Sequence, residues 1–129
     1  MLAKHRMATS IPTADFDRAR RFYEQTLGFS VERESPEMGV VVYSNANGAI
    51  FLYTSEYAGT NKATVLSFEV PVDAFDEEIR ALRAAGVTFD TFDLPDATWE
   101  DGVARMGEMS SAWFRDPDGN ILAVGSGDL

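Results

Sequence analysis

Cysteine is missing from this chain of 129 residues, and histidine occurs once, as His5. The first absence excludes disulfides, thiolate metal centres and a cysteine nucleophile. The second leaves a Ser-His-Asp relay without a pocket histidine. No apolar run approaches the roughly 18 residues that a membrane-spanning helix needs, and residues 1–7 lack the apolar stretch of a signal peptide. A cytoplasmic location is therefore expected. Basic residues are scarce: 11 Lys and Arg stand against 21 Asp and Glu, a net charge of −10. A surface of that sign cannot displace counterions from nucleic-acid phosphates, nor settle on anionic lipid, so neither nucleic acid nor membrane is an expected partner. The acids are spread through stretches such as 73–78 and 90–101, which reads as a solvated surface rather than a cation site. No Gly-x-Ser-x-Gly elbow, phosphate loop or dinucleotide fingerprint occurs.

Alternating apolar patterns and turn residues are present throughout. Hydrophobic residues make up 45% of the chain and charged residues 25%, ordinary values for a folded domain. Residues 8–11 read as a strand ending at Pro12. Asp15 is a helix cap; Phe16, Ala19, Phe22, Tyr23 and Leu27 recur at helical spacing, and Gly28 stops the helix. Strands follow at 29–34, 40–43 and 49–53, the last two joined through Asn47-Gly48, a pair suited to positive φ. The pattern then restarts. Residues 64–70 form a strand, and Asp73 caps a helix with Phe75, Ile79, Leu82 and Ala85 on one face, stopped by Gly86. Residues 87–92 read as a strand and 93–110 as a long loop. A final pair, 111–115 and 121–124, is joined by the turn Asp116-Pro117-Asp118-Gly119, where proline fixes φ and glycine accepts a positive one. Asp15 to Gly28 and Asp73 to Gly86 have the same separation, so the strand-helix unit is repeated.

These residues carry a resemblance. Asp15, Ala19, Phe22-Tyr23-Glu24 and Leu27-Gly28-Phe29, with Phe68-Glu69-Val70, Leu82 to Val87 and Trp113 to Asn120, make the chain similar to the vicinal oxygen chelate superfamily, also called the glyoxalase/bleomycin resistance/dioxygenase fold. The resemblance implies an α+β fold: two βαβββ modules in tandem, about 7–54 and 63–125, forming a curled mixed sheet around a cleft within one domain covering 1–129. It also implies a homodimer. Metal-dependent members of that superfamily hold a divalent ion with His, Glu or Gln on inward-facing strand positions. Here the corresponding positions are Ala8, Phe51, Val65 or Ser67, and Ala123. None is a usual ligand. His5 stands three residues before Ala8, so strand alternation points it to the other face.

The expectation is thus a site without metal or other cofactor. Ala8, Phe51, Val65 and Ala123, with their same-face neighbours Ser10, Tyr53, Ser67 and Trp113, would line a pocket for a small hydrophobic or aromatic molecule. Its aromatics would stack on a planar ligand and its hydroxyls orient it. The competing reading of Phe51, Tyr53 and Trp113 is core filling. In the 93–110 loop, Trp99, Met106 and Met109 would act as an adaptable lid, with Tyr57 closing the other side. The implied role is binding for resistance or sequestration. The alternative is a lyase, isomerase or oxygenase using a relocated divalent metal (Zn, Ni, Fe or Mn) or a carboxylate base, Glu69, Asp101 or Glu108, desolvated in the cleft.

Overall fold

The Asp15 side chain accepts a hydrogen bond from the Arg18 amide (3.1 Å), occupying one of the donors that a helix start leaves unpaired. The computed structural model, which describes residues 1–127, starts helix α1 there, at Phe16–Arg21. The next five residues, Phe22–Thr26, widen into a π turn, with the Leu27 amide bonding the Phe22 carbonyl. Gly28 ends the helix at φ +81°, the left-handed conformation that favours glycine. The expected single helix from Asp15 to Gly28 is therefore α-helical only in its first half. The wider turn buries Tyr23 completely and brings Glu24 to the hydroxyl of buried Tyr43 (2.9 Å).

Strands β1 (Thr9–Thr13), β2 (Val31–Ser35), β3 (Val40–Asn45) and β4 (Gly48–Thr54) form the first sheet in the order β1-β4-β3-β2. β1 runs parallel to β4 and the other pairs are antiparallel. Ile11, Val41, Tyr43, Ile50 and Leu52 are buried with Ala19 and Tyr23 of the helical segment. The hairpin corrects the expectation: Asn45 pairs with Gly48, so the turn falls on Ala46-Asn47, and neither Asn47 nor Gly48 takes positive φ. Instead the Asn45 side chain accepts from the amides of Asn47 (2.8 Å) and Gly48 (3.0 Å), a side-chain-closed turn.

The second sheet has the order β5-β9-β8-β7-β6, from β5 (Thr64–Glu69), β6 (Thr98–Glu100), β7 (Val103–Met106), β8 (Met109–Arg115) and β9 (Ile121–Ser126). β5 is parallel to β9, as β1 is to β4, so the strand order of the first sheet recurs with β6 added at the edge. Helix α2, Phe75–Ala84, buries Phe75 and Ile79. Three expectations are corrected here. Asp73 does not cap α2; Ala74 holds that position without a side-chain bond. Residues 87–92 form no strand and keep only the bridge Asp90–Trp113. Half of 93–110 is strand rather than loop, with β6 and β7 joined by Asp101-Gly102 at φ +49° and +83°. Two successive positive φ values are what a type I′ hairpin requires, and Asp-Gly supplies them.

By contact density the chain divides into two compact units, Met1–Thr60 with Pro117–Gly119, and Asn61–Asp116 with the residues from Asn120 onward. Among the described residues no helix is long and apolar enough to cross a membrane.

Candidate functional site

The faces of the second sheet are fixed by Arg105. Its guanidinium bonds Ser110 Oγ (2.7 Å) and lies 5.6 Å from the centre of the Phe75 ring on α2. Residues that share its side, Ala112, Phe114, Leu122 and Val124, are buried beneath the helix. Strand alternation then places the partners of the opposite, helix-free face. Three cross-strand rows follow from the pairing. Arg115 opposes Ile121; Trp113 opposes Ala123, which opposes Ser67; Ser111 opposes Gly125, which opposes Glu69. Ala104 extends the last row and is flanked by Trp99 of β6. Met106 and Met109 face each other across the Gly107-Glu108 turn on the same side.

The aromatic side chains on this face gather at one end. Phe92, in the segment before β6, lies 4.7 Å from Trp113 and 5.6 Å from Trp99 between ring centres, at 72° and 74°. The two tryptophans are 6.1 Å apart. Edge-to-face contact of this kind aligns the positive ring edge with a negative ring face. The tryptophans are half-buried and Phe92 is 46% exposed. On the other side of β9, Ser67 and Glu69 are exposed. Between them Ala123, Gly125 and Ser111 are small.

Six of the seven residues expected on the second unit's inner face, Ser67, Trp99, Met106, Met109, Trp113 and Ala123, are on this helix-free side by register; Val65 falls at the register shift between Thr64 and Leu66, and the pairing assigns it to no row. Trp99, Met106 and Met109 belong to strands rather than to a loop lid. In the first unit, Ser10 opposes Phe51 and Pro12 opposes Tyr53, on the face away from buried Ile11 and Leu52. The Phe51 and Tyr53 rings are 5.8 Å apart. Ala8 precedes β1 and is exposed. His5 and Tyr57 are exposed, as are Asp101 and Glu108. Sequence reasoning missed Phe92, read there as the end of a strand. It also passed over Ser111 and Gly125, although each stands two residues from a chosen position and alternation finds them.

A divalent metal does not fit these positions. Ser67 and Ala123, opposite each other, offer a hydroxyl and a methyl; Ala8 and Phe51 offer none of the charged oxygen or imidazole donors such ions need. Among the described residues no group of three or more His, Cys, Asp and Glu is placed to hold a metal.

The family model described as Glyoxalase/Bleomycin resistance protein/Dioxygenase superfamily matches residues 5–124. No curated protein sequence matches. Among solved structures, a glyoxalase/bleomycin resistance protein/dioxygenase from Alicyclobacillus acidocaldarius is similar at 18% identity and a TM-score of 0.69, over 95% of this chain and 90% of that one. The fosfomycin resistance protein FosX from Mesorhizobium loti is similar at 14% identity and a TM-score of 0.69, over 98% and 94%. TnmS3, an antibiotic binding protein from a Streptomyces species, is similar at 22% identity and a TM-score of 0.62, over 99% of both chains. At such identities the likeness is one of fold.

Proposed function

The chain belongs to the glyoxalase/bleomycin resistance protein/dioxygenase superfamily, and from that premise we propose that it binds a small hydrophobic or aromatic molecule without metal, as a cytoplasmic homodimer, for resistance or sequestration. One observation carries the reading. The helix-free face of the second sheet holds three mutually inclined aromatic rings beside a floor of small residues. A flat ligand gains contact area from such rings at little entropic cost, since each side chain has two torsions. The antibiotic-binding and fosfomycin-resistance proteins of the same fold are consistent with a role of this kind. Ala8, Ser10, Phe51 and Tyr53 of the first unit remain part of the proposal.

Calorimetric titration with neutral acridine tests it. Stoichiometric binding is expected. Trp113→Leu should weaken it about fivefold or more, as loss of an aromatic contact costs roughly 0.5–1.5 kcal/mol beyond its area. Ser67→Phe should weaken it too, by filling the row from an exposed position that leaves the core untouched. Elemental analysis of protein purified without chelator is expected to show no bound metal. A stoichiometric metal that raises the melting temperature would overturn the metal-free reading, and sedimentation as a monomer would remove the dimer.

A further inference from the structure

We propose that the ligand taken by the helix-free face of the second sheet is a flat aromatic cation, a ring system bearing a protonated amine or ring nitrogen. The inference rests on the function proposed above and adds the ligand's charge. On the strands of this face two side chains are charged, Arg115 and Glu69. Arg115 is neutralised by Asp90, whose Oδ2 lies 2.8 Å from its Nε. Glu69 forms no ion pair among the described residues and is exposed. Arg115 stands at one end of the face and Glu69 two rows away, which is about 13 Å along a strand. The strands of this face therefore present one uncompensated charge, and that charge is negative.

Its position relative to the rings sets the ligand's shape. Glu69 shares a row with Gly125 and Ser111, and the aromatic cluster rises from the β8 side of the neighbouring row. From β8 across β9 to β5 is two interstrand steps, about 10 Å, the length of a fused two- or three-ring system. The surface between is low. Gly125 has no side chain, and a Cβ built there would meet only ordinary contacts, with Ser111 Oγ at 3.5 Å. A plane lying on this floor would set one edge against Trp113 and Phe92 and direct its other end at the Glu69 carboxylate. Tryptophan faces favour the same sign of charge through cation–π attraction. The whole molecule at −10 draws cations and repels anions over a longer range.

The experiment uses three ring systems of similar size: 9-aminoacridinium, neutral acridine and 9-anthracenecarboxylate. The chain's two tryptophans, Trp99 and Trp113, both stand at the site, so quenching of intrinsic fluorescence reports it directly. The cation is expected to bind tighter than neutral acridine, and the anion weakest. Glu69→Gln should reduce the cation's affinity about two- to fivefold, the range for an exposed charge pair, and leave acridine unchanged. Glu78→Gln is the control: it removes the same charge from an exposed position on α2 and should leave the preference intact. Equal affinity for cation and acridine, or equal loss from both variants, would overturn the inference while leaving the aromatic site standing. Failure of all three probes to quench would overturn the site itself.

Discussion

Glu24 is held by two donors at once. Its Oε2 accepts from Arg20 Nε at 2.7 Å and from the Tyr43 hydroxyl at 2.9 Å, and Arg20 reaches on to Glu34 at 2.6 Å. The Arg20 bond, then the Tyr43 hydroxyl, holds the Glu24 carboxyl below its ordinary value of 4.5 against the opposing effect of burial. Burial first, and Glu24 second, push the Tyr43 phenol above its ordinary value of 10.0. The sign of the acid effect follows. A carboxylate with a depressed folded-state pKa adds stability that is present above its unfolded value and is lost as pH falls through the folded one. Glu24→Gln should therefore cost roughly 1 kcal/mol at pH 7, with the gap to wild type closing below about pH 4. Urea midpoints at pH 7, 4 and 3 measure this. A constant gap would show that the carboxylate's charge contributes nothing. The i, i+4 spacing of Arg20 and Glu24 is visible in the sequence, but their contacts to Tyr43 and Glu34 are not. Nor is the π turn, since residues 22–26 give no periodic sign of one.

Hairpins decide where the aromatic residues of the second sheet point. Asp101-Gly102 joins β6 to β7 and so holds Trp99 beside Ala104. Gly102 has φ +83°, and a Cβ there would approach Phe89 Cβ at 3.1 Å. Gly48 has neither constraint: its φ is not positive and a Cβ would meet open space. Gly102→Ala should cost about 1–2 kcal/mol, as left-handed backbone does for an L-residue, whereas Gly48→Ala should stay within about 0.5 kcal/mol. Chemical denaturation of the two variants separates them, and equal effects would refute the assignment of the turns. The same pair shows what could be read in advance. Asn-Gly and Asp-Gly are equivalent signals by composition. The first was expected to form the positive-φ turn, but the Asn45 side chain closes that turn another way. The second was hidden in a stretch rich in Pro95, Asp96 and Met106 that lacks clear alternation, so β6 and β7 read as loop. The strands of the first unit, its helix cap at Asp15 and the rows through Ser67, Trp113 and Ala123 were legible, because period-two alternation needs only a correct strand and one anchor residue.

Family-wide features of the chain constrain the fold, while its charge is a property of the whole molecule and bears on the ligand. With 21 acids and 11 bases, much of the negative charge has no partner. Ion pairs such as Arg6–Glu32, with side chains 54% and 32% exposed, lie largely in water, where each is worth little. Self-repulsion among the remaining carboxylates opposes the folded state, whose charges are closer together than those of the expanded chain. Salt shortens the reach of that repulsion to about 10 Å at 0.1 M, while contact pairs near 3 Å are screened much less. Added salt should therefore stabilise this protein at pH 7. The melting temperature is expected to rise by a few degrees between 10 and 200 mM sodium chloride, on the scale where about 1 kcal/mol moves a domain of this size by roughly 4 °C. A fall over the same interval would mean that the surface pairs outweigh the net charge. Over the same range of salt, a ligand drawn by the negative field should bind more slowly and a neutral one at an unchanged rate. Stability and cation capture should thus respond to salt in opposite directions, because one field destabilises the fold and recruits the ligand.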